Sequence, residues 1–305
     1  MVGKSRGRRL RRARFPVHSV IYGDPAAKDT SEFMTAYKIE AGTAQHIGNR
    51  PQQNDRSALF SGKRAPGYIL AVLADGIAGG GVAAEQVLHT AKQLFDEFKP
   101  GDGNDGAANI ERMGTLLREI IHETHVVIQM NGMATQSEPQ CSFVGLLLSP
   151  QGQAVWAHVG DSRLYRFVQG ECQLRTSDAA YVEQLVATER LPLEAAKNHR
   201  HSKLLLNVLG NSRKEPFVTV GSSPTLAAGD TYLLCSDGLW HFFTDAELGA
   251  VTRQNTPRQA SEMLISKATE RAQGKGGNCT MAIVKLVKLP KEVPNYTVQK
   301  MGRAV

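Results

Sequence analysis

The stretch that decides the fold is Ile69–Gly81, read as Ile-Leu-Ala-Val-Leu-Ala-Asp-Gly-Ile-Ala-Gly-Gly-Gly. An apolar run of strand length ends on one carboxylate, Asp75, and four of the next six residues are glycine. A buried strand that delivers a charge at its end needs a partner for that charge, because an unpaired buried carboxylate is costly. Glycines just past the strand let backbone come close to whatever sits there. A hard cation is a natural partner, since it takes a carboxylate and a backbone carbonyl as oxygen ligands. The same residues also read as a strand, a turn and a helix, with Asp75 as the N-cap. A second copy of the pattern favours the cation: Asp230–Ser236 is another apolar strand, and it runs into Asp237-Gly238.

Outward from Ile69–Gly81, strands and helices come in blocks. Lys38–Gly48, Ser57–Phe60 and Tyr68–Ala74 read as strands. Val82–Phe98 and Ile110–Met130 each present one wide apolar face at helical spacing. Between them Gly101–Gly106 is a surface connection that lacks the spacing of a calcium loop. His125 is among the residues that mark the inner side of the second helix, and the pair His122 and His125 reads as helix surface and boundary, not as a metal site. Ser142–Leu148 and Ala154–His158 pair around a turn at Pro150–Gly152, and Gly160-Asp161-Ser162-Arg163 leads into Leu164–Val168. Residues 178–215 are polar and read as an inserted flap, helical in pieces at Val182–Glu189, Leu193–Asn198 and Ser202–Leu209. Ala246–Val251 and Pro257–Ala272 are helical, and Cys279–Val287 is a last strand. Blocks in place of βαβ alternation predict an α+β protein with antiparallel sheets and enough amphipathic helix to cover two of them.

Composition narrows the function. The 305 residues are 41% hydrophobic and 21% charged, ordinary for a globular protein. No apolar run reaches the length needed to cross a membrane. The four cysteines, Cys141, Cys172, Cys235 and Cys279, are scattered without a CxxC pair, which fits reduced thiols in a cytoplasmic setting. The net charge of +7 belongs to residues 1–15, with 7 basic groups and no acid, so the rest of the chain balances at 29 basic against 29 acidic groups. Residues 1–35 are therefore expected to be a solvated basic extension able to touch an acidic partner. A neutral body without aromatic–basic interleaving argues against nucleic acid. Residues 289–305 read as a polar tail.

Oxygen-only clusters at two strand ends, with no His or Cys, suit magnesium or manganese. A pair of such ions polarises a phosphoryl oxygen and activates water for in-line attack, and an arginine is then expected to hold the phosphate. With these residues in hand, the chain resembles the metal-dependent serine/threonine protein phosphatases of type 2C, in their bacterial form. The resemblance runs from about residue 40 to 288 through five motifs in order. They are Arg50–Arg56, Ala74-Asp75-Gly76 with Gly79-Gly80, Gly160-Asp161-Ser162-Arg163, Ser236-Asp237-Gly238-Leu239, and Gly277-Asn278-Cys279-Thr280. Five in order are far more specific than one.

The resemblance implies a catalytic domain over 36–288, built as two stacked antiparallel β-sheets flanked by helices, a four-layer αββα sandwich. It implies two manganese or magnesium ions bridged by Asp75, the Gly76 carbonyl on the first, Asp237 on the second, and a third, looser ion at Asp161. Arg50 would bind the substrate phosphate, and Asp55 and Asn278 would support the cluster. Phosphorylated proteins would be the substrates, with a cognate serine/threonine kinase in the same signalling route. Three residues depart from the pattern. Gly277 stands where the family has an aspartate that ligates the second ion. Asn54 stands where an acid or glutamine is usual. Ile77 replaces a histidine proposed as proton donor in eukaryotic members. Gly277 predicts a weakened second metal site and lower activity. It also supports a second reading, a catalytically impaired domain that binds phosphoproteins or a kinase, whereas Arg50, Asp75, Asp161 and Asp237 favour hydrolysis.

Overall fold

A computed structural model describes residues 37–77, 80–101, 105–177 and 207–288. The basic extension, the C-terminal tail and the first two flap pieces lie outside the described residues. The described chain runs β1 (Tyr37–His46), β2 (Arg56–Ser61), β3 (Ile69–Ala74) and β4 (Gly76–Ile77). Two helices follow, α1 (Gly81–Glu97) and α2 (Gly106–Thr135). Then come β5 (Gln140–Cys141), β6 (Phe143–Leu148), β7 (Ala154–Val159), β8 (Arg163–Val168), β9 (Glu171–Arg175), β10 (Thr219–Ser223) and β11 (Thr231–Cys235). The chain closes with α3 (Asp237–Trp240), α4 (Asp245–Gln254), α5 (Pro257–Ala272) and β12 (Cys279–Lys288). No described helix is long and apolar enough to cross a membrane.

The strands form two five-stranded antiparallel sheets, ordered β1-β12-β11-β8-β9 and β10-β7-β6-β3-β2, with a small third pairing of β4 and β5. Strand periodicity explains how they stack. Side chains alternate between faces, so a strand buried on both faces reads as a continuous apolar run. In β3, Leu70 and Val72 face α1 and α2, with Met113, Ile120 and Phe143. Ala71 and Leu73 face the other sheet, joining Leu146 and Trp156 of their own sheet against Tyr232 and Val284 of the other. In β11, Tyr232 and Leu234 join that inner layer, while Leu233 and Cys235 turn outward to Leu248, Ala260 and Leu264 of α4 and α5. The result is helix, sheet, sheet, helix, the αββα sandwich expected. Burying each large side chain contributes about 1.5–3 kcal/mol.

Differences from the sequence reading have local causes. The loop before α2 ends one residue early because Asp105 caps the helix, its Oδ1 accepting from the Ala107 and Ala108 N–H groups at 3.0 Å. Among the described residues of Ser202–Leu209, the last three are not helical, and Leu209 bridges Cys141 as an extended residue. β9 and β10 went unread because they are edge strands with half-exposed, polar sequences. His125 is fully buried on the inner side of α2, where the apolar face places it, while His122 is exposed.

Candidate active site

Strand register brings the carboxylates together. In the antiparallel β2–β3 pair, Arg56 faces Ala74, so one step further Asp55 faces Asp75. In the β8–β11 pair of the other sheet, Arg163 faces Cys235 at the last paired position, and just beyond it the Asp161 turn and the start of α3 at Asp237 come near enough for the charge of Asp237 to act on Asp161. Each sheet thus delivers a carboxylate pair at its rim, and the two rims adjoin. The charges of Asp237 and Asp161 both act on Asp75.

This crowding shows in the titration of the acids. Burial holds the Asp75 carboxyl well above its ordinary value, and the neighbouring charges of Asp55, Asp237 and Asp161 push it the same way. Asp55 is raised by burial too, against hydrogen bonds from Ser236, Asp75 and Thr280 that lower it. Burial also raises Asp161, with the charge of Asp237 adding to it. Such groups relax when a cation shares the site. Asp55 Oδ2 accepts from Ser236 Oγ at 2.8 Å, while its buried Oδ1 has no hydrogen-bond partner. A buried, unpartnered carboxylate oxygen beside three further carboxylates is the donor chemistry of magnesium or manganese, and His241 Nδ1 stands 3.8 Å from Asp237 at the edge of the cluster. Among the described residues, no three His, Cys, Asp or Glu side chains are grouped closely enough to hold an ion by themselves. The remaining ligands would be backbone carbonyl and water, as these ions accept.

Backbone packing fixes the turn that carries Asp75. The Asp75 N–H donates to Ser142 Oγ at 3.2 Å, and the Ser142 N–H donates to the Asp75 carbonyl at 2.9 Å. Ser142 Oγ lies 2.6 Å from Ser162 Oγ, which joins the Asp75 turn to the Asp161 turn. A Cβ on Gly76 would stand 2.6 Å from the Gly80 carbonyl and 2.7 Å from the Asn54 carbonyl, so only glycine fits. Asn278 ties down the loop before β2. Its Oδ1 accepts the Asn54 N–H at 2.8 Å, and its Nδ2 donates to the Ile47 carbonyl at 2.8 Å and the Gln52 carbonyl at 3.0 Å. Trp240 Nε1 donates to the Asp161 carbonyl at 3.0 Å.

The remaining predicted residues fall as follows. Arg50 is exposed on the loop that Asn278 fastens, and its side chain makes no ion pair among the described residues. Ile77 is half-buried. Gly277 borders a small cleft of about 80 Å³ with Gly48, Gly238 and Cys279, and a Cβ added to it would meet nothing within 4 Å. Sequence reasoning passed over Ser142 and Trp240, and it quoted Ser236 within a motif without giving it a role.

Comparison with known proteins bears on this geometry. No family model matches the chain. A serine/threonine phosphatase stp of Listeria innocua is 28% identical over 263 residues, covering 81% of this chain and 94% of that protein. The serine/threonine protein phosphatase PstP of Mycobacterium tuberculosis is 30% identical over 194 residues, covering 61% of this chain and 34% of that protein. Among solved structures, the serine/threonine phosphatase of S. agalactiae superposes with a TM-score of 0.68 at 25% identity, over 82% of this chain and all of that one, 100%. A catalytic domain of PstP in complex with two manganese ions has the same fold, with a TM-score of 0.59 at 23% identity over 82% of this chain and 99% of that one. With five motifs in order on the same two-sheet sandwich, the chain is similar in sequence and fold to the bacterial type 2C serine/threonine protein phosphatases.

Proposed function

We propose that this protein hydrolyses phosphoserine and phosphothreonine in other proteins, in a metal-dependent reaction. The observation that carries this reading is the meeting of Asp55–Asp75 and Asp161–Asp237, one pair from each sheet, at one rim. Asp75 and the Gly76 carbonyl would hold a first manganese or magnesium ion, Asp75 and Asp237 a second, and Asp161 a third. When bound, such ions polarise the phosphoryl oxygen and acidify a water for in-line attack. Arg50, held on the loop fastened by Asn278, binds the phosphate oxygens and orients the phosphorus. Asp55, fixed by Ser236, keeps the Asp75 carboxylate in place. Ile77 offers no proton, so the departing alkoxide takes one from solvent.

The relatives' activity supports phosphoproteins as substrates, with a serine/threonine kinase supplying them in a cytoplasmic signalling route. The basic residues 1–15 would serve to contact an acidic partner. The test is hydrolysis of an aryl phosphate and of a phosphothreonine peptide with and without manganese. Turnover that requires manganese and disappears in Asp75→Asn is expected. No turnover at saturating manganese would overturn the reading in favour of an impaired, phosphoprotein-binding domain, which the glycine at position 277 favours.

A further inference from the structure

His125 is a buried imidazole far along the sequence from every motif residue, yet it is bonded to the back of the Asp75 turn through two short links. Its Nδ1 accepts the Gly210 N–H at 3.1 Å. One helical turn on, Gln129 Nε2 donates to the Asn211 carbonyl at 2.7 Å, so α2 grips consecutive residues of this segment from one face. Gly210 has φ +84, and a Cβ there would stand 2.4 Å from the Pro139 carbonyl and 2.5 Å from Ile128 Cγ2. The segment is therefore pressed against both α2 and the approach to β5. Leu209 exchanges two hydrogen bonds with Cys141, at 2.9 and 3.3 Å. Cys141 in turn pairs with Gly76 across β5 and β4. On the other side, the Asn207 carbonyl packs against Gly160, the residue before Asp161.

His125 Nε2 is buried without a hydrogen-bond partner, and the Glu215 carboxylate stands 3.7 Å away. A buried N–H left unpaired is unfavourable, and an apolar residue of similar size would avoid it. What the imidazole supplies that an apolar residue does not is an acceptor for the Gly210 N–H.

We propose that His125 is a positioning residue for the active site. By accepting the Gly210 N–H it holds residues 207–211 against β5, and so sets where the Gly76 carbonyl and the Asp75 backbone stand. This rests on the reading of Asp75 and Gly76 as metal ligands. The contacts of residues that orient ligands are worth roughly 10–100-fold in metal affinity when lost.

The test compares the parent protein with His125→Leu, which lacks the acceptor, and His125→Asn, whose Oδ1 can take the place of Nδ1. Manganese binding is measured by calorimetry, and backbone amide exchange is followed by mass spectrometry. In His125→Leu, faster exchange is expected at 207–211 and also at 76–77 and 140–142, with manganese affinity about tenfold weaker. His125→Asn is expected to restore most of both. Faster exchange confined to 207–211 would overturn the proposal, as would equal impairment of the two variants. If the parent protein binds no manganese, the proposed catalytic reading falls, and exchange at 76–77 still decides whether His125 positions that turn.

Discussion

At the scale of single residues, the departure at Gly277 is a question of charge and not of space. An added Cβ there has open room, and the backbone is not in the left-handed region that favours glycine. An aspartate at this position would bring a fifth carboxylate to a rim that already holds Asp55, Asp75, Asp161 and Asp237. In Gly277→Asp, manganese is expected to bind about tenfold more tightly, about 1.4 kcal/mol, because affinity follows the charge count of the ligands. A metal titration checks this, and unchanged affinity and turnover would show that water fills the position equally well. Asn278 beside it is a different case. Its amide holds three backbone groups of the 47–54 loop. Asn278→Ala leaves those groups unpaired and is expected to cost about 1–3 kcal/mol in stability, read by urea unfolding. It should also raise KM for phosphopeptide more than it lowers kcat, since Arg50 rides on that loop.

At the scale of elements, the sequence showed which strands end in charge and that Ser142–Leu148 pairs with Ala154–His158, but not how the other strands are ordered. Asp75 and Asp237 stood out because each closes an apolar run. Which acids they meet became visible only in the fold, where register carries Asp55 beside Asp75 and the end of the β8–β11 pair brings Asp161 near Asp237. Ser142 could not be read as the clamp on Asp75, since a serine beside a strand is uninformative until the pairing is known. The edge strands β9 and β10 were hard to read because β9 alternates over only five residues, with Cys172 and Leu174 its apolar positions, and β10 is a short polar run. His125 was legible as an inner-side residue of α2, but its partner, the Gly210 N–H, lies far along the chain and was not. Among the helices, α5 was legible at both ends, whereas α2 runs four residues further at its start and five at its end than its apolar spacing showed. Pro257 at the start of α5 follows Thr256, whose Oγ1 accepts the Gln259 N–H at 3.3 Å, while Gln259 Oε1 accepts the Thr256 N–H at 3.2 Å. Thr256→Ala removes this reciprocal cap and is expected to lower stability by about 1 kcal/mol, with Thr256→Ser keeping most of it. Because α5 packs on the outer face of β12 and not on the carboxylate rim, manganese affinity should stay unchanged in the same variants.

At the scale of the whole molecule, the sandwich carries two buried sets of titratable groups that respond to acid in opposite directions. His125 and His158 have lowered pKa values, each chiefly because burial disfavours the imidazolium. Glu215 and His122 face His125 with opposing effects, and the Ser177 carbonyl bonds His158 at 3.3 Å. For these groups the unfolded chain takes up protons first as pH falls through about 6.5, so acid destabilises the fold. Asp75, Asp55 and Asp161 are raised, so there the folded, metal-free protein takes up protons before the unfolded chain does. Acid therefore relieves the metal-free rim of its repulsion and adds stability as pH falls through those raised values. A bound cation relieves the same repulsion at neutral pH, and protons compete with it for the same oxygens. The rise in Tm on adding manganese is therefore expected to be largest near pH 7–8 and to shrink steadily toward pH 5, measured by calorimetry at fixed ion concentration. In Asp75→Asn, which removes the most strongly perturbed carboxylate, the metal-free protein should be more stable than the parent at pH 7 and gain little from manganese at any pH. A manganese shift independent of pH, or one that survives unchanged in Asp75→Asn, would place the bound ion somewhere other than this rim.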